Sequence, residues 1–322
     1  MNSSSIINNL PLVSIIFTSF NRKDDVVESL EKLSEQEYPN IEIVIVDNCS
    51  SDGTQEIIEK IFPFVKLIKM PNSKYGACET LNIAFANSKG KYIIILDDDS
   101  YPEKNAVKKV VDEFNKNPEV GAIAFRILQR QNNEYLTQDS WGFVDSKGVF
   151  KPDVDKIRGM DELKLISFLG NGAAIRSDLV KKISYFPSLF FMYANEIDTS
   201  FRILNEGYKI KYCPHIISYH KWSPINRNSR KCIYFGRRNV LLLASKYLTS
   251  LYKLKVYLII TSYLFLKTIF LKDIKENILI IRDFFKLKGP YKNEYITNQK
   301  QKKYFTKNFR PFFDWYLREM LR

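Results

Sequence analysis

Apolar positions along the first 125 residues follow two alternating rhythms. Short runs of β-branched and aromatic residues, "LVSIIFTSF" (12–20), "IEIVIVD" (41–47), "VKLIKM" (65–70), "KYIIILDDD" (91–99) and "VGAIAFRI" (120–127), predict buried strands. Between them lie stretches with apolar residues at helical spacing. "DDVVESLEKLSEQ" (24–36) places acids at a helix start. "SSDGTQEIIEKIF" (50–62) opens on capping residues. "GACETLNIAFANSKG" (76–90) ends on a glycine, and "PEKNAVKKVVDEFNKN" (102–117) puts Pro102 at a first helical position. Strand, helix, strand, helix predicts a mostly parallel sheet with helices on both faces. Ligands of such sheets sit beyond the carboxyl ends of the strands.

Beyond residue 127 the rhythm changes. Residues 128–165 are polar and irregular, with Trp141 among them, and predict a long excursion that includes a hairpin. "SFLGNGAAIRSDLVKKI" (167–183) predicts a strand, a turn and a helix. "FFMYANEIDTSFRILNEGY" (190–208) predicts a loop entering a helix, and "KIKYCPHIISYHK" (209–221) one more strand. The last hundred residues predict amphipathic helices. In "KVYLIITSYLFLKTIFL" (255–271) the uncharged core between Lys255 and Lys267 is too short for the roughly 20 residues of a membrane span. A buried or interfacial helix fits better.

Charge divides the chain at the same place. Residues 1–220 carry 26 Lys+Arg against 30 Asp+Glu, a balance of −4, whereas residues 221–322 carry 23 against 6, a balance of +17. We therefore read two domains: residues 1–220, which hold the alternating strands and helices, and a basic helical region, residues 221–322. The excess charge, mixed with aromatic residues as in "NILIIRDFFKLK" and "RPFFDWYLREMLR", suits an anionic membrane surface. A helical subdomain with solvated lysines is the plainer alternative. The four cysteines, Cys49, Cys78, Cys213 and Cys232, form no C-x-x-C pair, so reduced thiols in a cytoplasmic protein are expected. The N-terminus lacks the features of a signal peptide.

The chemistry concentrates where "IIIL" runs into Asp97, Asp98 and Asp99. Three adjacent carboxylates repel one another, and a hard divalent cation, Mn²⁺ or Mg²⁺, relieves that repulsion. In an extended segment Asp97 and Asp99 point to one side and Asp98 to the other. Solvated loop acids are the alternative reading.

Four segments, "VSIIFTSFNR", "IVIVDNCSSDGT", "KYIIILDDDSYP" and "FFMYANEIDTSFRILNEGYKIKYCPHIISYHK", follow one another as they do in family 2 glycosyltransferases. Over residues 11–245 the chain resembles that family, and within it the rhamnosyl- and galactofuranosyl-transferase-like enzymes of surface polysaccharide synthesis. The resemblance implies the GT-A fold, a Rossmann-like α/β architecture, here followed by the basic C-terminal helices. It implies an inverting, metal-dependent single displacement, with a nucleotide diphosphate sugar as donor and a saccharide or lipid-linked saccharide as acceptor. It assigns Asp97, Asp99 and His220 to the metal, and Thr18, Asn21, Arg22, Asp47, Gly76 and Asp98 to the nucleotide. It makes Glu196 the general base, with Asp198 as runner-up, because "YANEIDTSFR" stands where relatives carry Glu-Asp-x-Asp. Leu81 stands where relatives carry an arginine, so no phosphate contact is expected there. Arg176 is expected near the acceptor or at the surface, and Arg237 and Arg238 near phosphates or on a solvated helix face. The expected location is the cytoplasm, peripheral to the inner membrane face, with no nucleic-acid partner. A nucleotidyltransferase is a rival, although "FTSFNRKDD" has no glycine for a phosphate loop. A dinucleotide-dependent oxidoreductase would need a G-x-G-x-x-G there. A nucleic-acid module built on the basic tail finds no supporting motif.

Overall fold

A computed structural model describes residues 10–131, 134–137, 143–144, 150–151, 164–165, 167–225, 229–271, 274–294 and 298–321. In the first half, β1 (Val13–Ser19), α1 (Lys23–Ser34), β2 (Ile41–Asp47), α2 (Thr54–Ile61), β3 (Lys66–Lys69), α3 (Ala77–Asn87) and β4 (Tyr92–Ile95) alternate as the apolar pattern predicts. They are followed by β5 (Ser100–Pro102), α4 (Ala106–Lys116), β6 (Val120–Gln131) and β7 (Glu134–Thr137). β7 pairs antiparallel with the end of β6, which supplies the expected hairpin. Three short strands, β8 (Phe143–Val144), β9 (Phe150–Lys151) and β10 (Lys164–Leu165), form a separate small sheet. Trp141 lies outside the described residues. Then come β11 (Ala173–Arg176), α5 (Ser177–Lys182), α6 (Asn195–Asn205) and β12 (Lys209–His220). Four helices follow: α7 (Ser229–Tyr247), α8 (Ser250–Leu271), α9 (Ile274–Glu294) and α10 (Gln299–Leu321).

The main sheet runs β3-β2-β1-β4-β11-β6-β12-β5. β1, β2, β3 and β4 are mutually parallel, as are β6 and β12. β11 enters antiparallel between β4 and β6. Two expectations shift. The strand in 167–183 follows the Gly-Asn-Gly turn rather than preceding it, and Pro102 ends β5 instead of starting a helix.

Alternation along each strand feeds two cores, because successive side chains point to opposite faces. Ile15, Phe17, Ile43, Ile45 and Ile94 pack with α1 and α4. Ile16, Val44, Val46, Ile93 and Ile95 pack on the other face with α3 and α6. The second core continues without a break into α7–α10, through residues such as Leu243, Val256, Phe284 and Phe305. Residue 220 thus ends the last strand, yet the helices after it share the core of one sheet face. Rings join the two parts: Phe201 of α6 lies 4.5 Å from Tyr247 and 4.8 Å from Phe305, centroid to centroid. Among the described residues no helix is long and apolar enough to cross a membrane.

Candidate active site

The carboxyl ends of β1 and β4 open into a cleft of about 970 Å³. Thr18, Arg22, Asn48, Asp97–Asp99, Gly170, Tyr193 and Glu196 line it. Arg230 and Lys231, at the start of α7, also line it.

β4 stops at Ile95, so the three aspartates lie in a turn rather than an extended strand. The Asp97 N–H donates to the Ser100 hydroxyl at 2.8 Å, and the Ser100 N–H returns to the Asp97 carbonyl at 3.1 Å. β5 then pairs antiparallel with the end of β12, with Ser100 opposite His220. This pairing, not sequence proximity, carries His220 to the acids. Its Nε2 lies 3.2 Å from Asp99 Oδ1 and 3.8 Å from Asp97 Oδ2. One ligand atom from each of the three residues fits within 4.8 Å of the others, a spacing that suits a single cation. Asp99 and His220 are buried, whereas the Asp97 side chain is half exposed. Nδ1 of His220 meets the Asn171 amide at 2.8 Å. That contact orients the ring, and a half-turn of the amide presents its carbonyl to an Nδ1–H, leaving Nε2 open as a ligand. The Ser223 N–H donates to Asp99 Oδ2 at 2.8 Å. Two carboxylates and an imidazole at this spacing could hold a divalent cation.

Asp98 has a separate role. Arg22 Nη1 lies 3.2 Å from Asp98 Oδ1 and 3.0 Å from Asp99 Oδ2. Burial pushes the Asp98 carboxyl well above its usual range; Arg22 opposes this, and Asp99 and Asp97 add to it. The acid run is therefore partly compensated by the protein's own guanidinium.

Glu196 opens α6 after an unusual loop. Phe191, Tyr193 and Ala194 all have positive φ, at 65°, 66° and 59°. Left-handed non-glycine residues are costly and cluster where surroundings over-determine the backbone. Here the loop is held by Asn239, whose Nδ2 donates to the carbonyls of Phe190, Met192 and Tyr193. The Glu196 carboxyl is raised to about 7, chiefly by burial and also by the charge of Asp97, against backbone hydrogen bonds that include one from Gly170. A Cβ at Gly170 would sit 3.1 Å from Glu196 Oε1, so a side chain there would crowd the carboxylate.

Several sequence assignments need correction. Asp198 cannot serve as a base: it is fully buried, and its oxygens accept from Arg202, Tyr247 and Tyr291. Asp47 is buried and turned inward, accepting from the Ser50 N–H and hydroxyl and from Gln55, while its neighbour Asn48 lines the cleft. The Asn21 side chain, on a residue with φ of 50°, accepts from the Ser51 N–H and braces the turn before α2. Gly76 is a packing residue, because a Cβ there would lie 2.6 Å from the Phe191 backbone. Arg176 caps the carbonyls of Phe114, Asn117 and Val120 rather than facing acceptor. Arg238 is buried against the Leu189 and Phe190 carbonyls, and Arg237 reaches Tyr263. The cations of that segment that line the cleft are Arg230 and Lys231, at its start. Sequence reading missed these two, along with Asn171 and Ser223. No spacing signal marks Ser223, whereas the basic character of 230–238 did mark the segment.

Comparison with known proteins identifies the family and the fold. The family described as glycosyl transferase family 2 matches residues 14–183. The chain is 26% identical over 263 residues to a probable glycosyltransferase, YdaM, of Bacillus subtilis, a match covering 76% of this chain and 59% of that protein. It is 40% identical over 92 residues to an Escherichia coli protein named UDP-Glc:alpha-D-GlcNAc-diphosphoundecaprenol beta-1,3-glucosyltransferase WfaP, covering 29% of this chain and 37% of that protein. Both relatives are thus matched over less than two-thirds of their length. Among solved structures, a mannosyltransferase of Pyrobaculum calidifontis in complex with GDP-Man and Mn²⁺ superposes with a TM-score of 0.55 at 20% identity, covering 73% of this chain and 63% of that one. The fold is GT-A, and the chain belongs to glycosyl transferase family 2.

Proposed function

We propose that this protein is a metal-dependent inverting glycosyltransferase. It moves a sugar from a nucleotide diphosphate sugar to a hydroxyl of a saccharide acceptor, lipid-linked and held at an anionic membrane surface, in surface polysaccharide synthesis. The observation that carries the reading is one cleft with two unlike groups in its lining: Asp97 and Asp99, which with the buried His220 are spaced for a cation, and a separate carboxylate, Glu196, whose proton affinity is poised near neutrality. The WfaP name, which specifies a diphosphoundecaprenol acceptor, and the mannosyltransferase solved with GDP-Man and Mn²⁺ support the acceptor and donor classes.

In this reading Asp97, Asp99 and His220 hold Mn²⁺ or Mg²⁺, which when bound offsets negative charge on the departing diphosphate. Glu196 accepts the proton of the attacking acceptor hydroxyl. Attack from the face opposite the leaving group inverts the anomeric carbon in one displacement and needs no covalent sugar–enzyme adduct. Thr18 and Asn48 face the nucleotide. Leu81 lines the cleft where relatives carry arginine, so Arg230 and Lys231 supply the positive charge for phosphate oxygens. Residues 1–220 thus carry donor site and base, and residues 221–322 contribute two cationic groups and the sheet's second cover.

A panel of nucleotide diphosphate sugars tests this directly. Nucleoside diphosphate release from at least one donor is expected to require Mn²⁺ or Mg²⁺, and Asp99→Ala to lower it by about 10³-fold. If no donor is turned over with either metal, and nucleotide binds Asp99→Ala as it binds the wild type, the reading is wrong.

A further inference from the structure

The C-terminal helices bury one side and leave an apolar side uncovered. In α8, Tyr252, Val256, Ile260 and Leu264 recur every fourth residue and are buried. On the other side Leu251, Leu254, Leu258 and Phe265 are 86%, 54%, 57% and 65% exposed. Their spacing of three, four and seven residues sets them in one stripe. α9 repeats the design: Ile280, Phe284 and Tyr291 are buried, while Ile278 and Phe285 are 60% and 61% exposed. A water-facing helix side is ordinarily polar, and contiguous exposed apolar surface marks an interaction site.

Lysines border these stripes where α8 begins and α9 ends. Lys288 Nζ lies 4.7 Å from the centroid of the Phe285 ring. Lys253, beside Leu254, loses proton affinity first through burial and then through the charges of Lys292, Lys302 and Lys288. Lys292 is lowered by burial and by Lys288 and Lys302. Four ammonium groups are thus close enough to repel one another beside exposed leucine and phenylalanine. A partner that accepts apolar side chains and carries dense negative charge relieves both costs.

We propose that the exposed faces of α8 and α9, with the cluster of Lys253, Lys288, Lys292 and Lys302, form the surface that docks on an anionic lipid bilayer. The apolar side chains enter the headgroup boundary and the ammonium groups meet lipid phosphates, with no helix crossing. This rests on the lipid-linked acceptor reading above and identifies the face that serves it.

Co-sedimentation of the full chain with vesicles tests the surface without any catalytic step. Binding to phosphatidylcholine vesicles doped with phosphatidylglycerol is expected, with weak binding to pure phosphatidylcholine and a loss as salt is raised. Leu258→Glu with Phe265→Glu, both at exposed positions, should weaken partitioning by about 100-fold. Lys288→Gln with Lys292→Gln should weaken it roughly 30-fold and erase the preference for anionic lipid. Turnover of a soluble acceptor, and circular dichroism, should be unchanged in both variants. Equal binding to both vesicle types overturns the proposal. So does a wild-type dimer in analytical ultracentrifugation that Leu258→Glu with Phe265→Glu makes monomeric, because the face would then join two copies. If vesicles bind as expected while no nucleotide sugar is turned over, the docking surface stands and the catalytic reading falls.

Discussion

Two clusters of charge stand at opposite ends of the first turn of α6, and they are built by opposite rules. Asp198 lies in a closed knot. Burial alone would raise its pKa, but Arg202 foremost, then Lys246 and the hydroxyls of Tyr247 and Tyr291, hold it below the usual carboxylate range. Arg202 Nε donates to it at 2.6 Å, and Lys246 caps the Tyr291 carbonyl at 3.0 Å. Two residues earlier, Glu196 faces the cleft with its pKa raised to about 7. The charge that raises it further is that of another acid, Asp97. Fully satisfied buried networks rigidify a structure, whereas groups left poised are available for chemistry. The knot draws partners from α6, α7 and α9, so it pins the helix that presents Glu196.

The largest expected difference between the two clusters is in turnover. Glu196→Gln should lower kcat by about 10²–10⁴-fold while nucleotide affinity, read by calorimetry, stays near that of the wild type. A variant with normal turnover would move the base away from Glu196. Asp198→Asn should act on stability instead. It leaves Arg202 buried without its counter-charge, at a cost of about 3–5 kcal/mol in denaturant unfolding. A stability loss below about 1 kcal/mol would mean that the knot is not closed.

A smaller, graded effect comes from pH. Glu196 accepts a proton only when ionised, so kcat/KM should rise about tenfold per pH unit below 7 and level off above it. A cation beside Asp97 cancels part of that acid's push, so the limb should move lower when metal saturates the enzyme. The linkage sign is also testable. With the folded pKa raised above the ordinary 4.5, the native state binds more protons than the unfolded chain between pH 4.5 and about 7. Stability therefore declines as pH rises across that window. Glu196→Gln should remove this decline, melting higher than the wild type above pH 7 and converging with it toward pH 4.5. Asp198 has the opposite sign: its lowered pKa gives stability that is present above 3.8 and lost on further acidification.

Much of this was legible in the order of residues. Strand runs of Val, Ile and Phe declared the sheet because only a two-sided core accepts them. The acid run after "IIIL" marked the acidic rim of the cleft at the end of a buried strand. Asp47, Asn21 and Gly76 occupy motif positions, and the structure engages them locally: Asp47 and Asn21 accept hydrogen bonds from the 50–51 turn, and Gly76 packs against the Phe191 backbone. Asp198 has the same side chain as a catalytic acid, and only the arrival of Tyr247 and Tyr291 from distant helices closed it off.

By itself, then, the sequence settled the element order, the parallel half of the sheet, the acidic rim at Asp97–Asp99 and the charge divide near residue 220. These follow from periodicity and from electrostatics between near neighbours. Tertiary structure alone decided which carboxylate is poised and which is locked. It also decided how β5 carries His220 to Asp99, that Arg230 and Lys231 rather than Arg237 and Arg238 line the cleft, and which side of α8 remains bare. Each of these depends on groups far apart in the chain, whose meeting no local pattern of residues encodes.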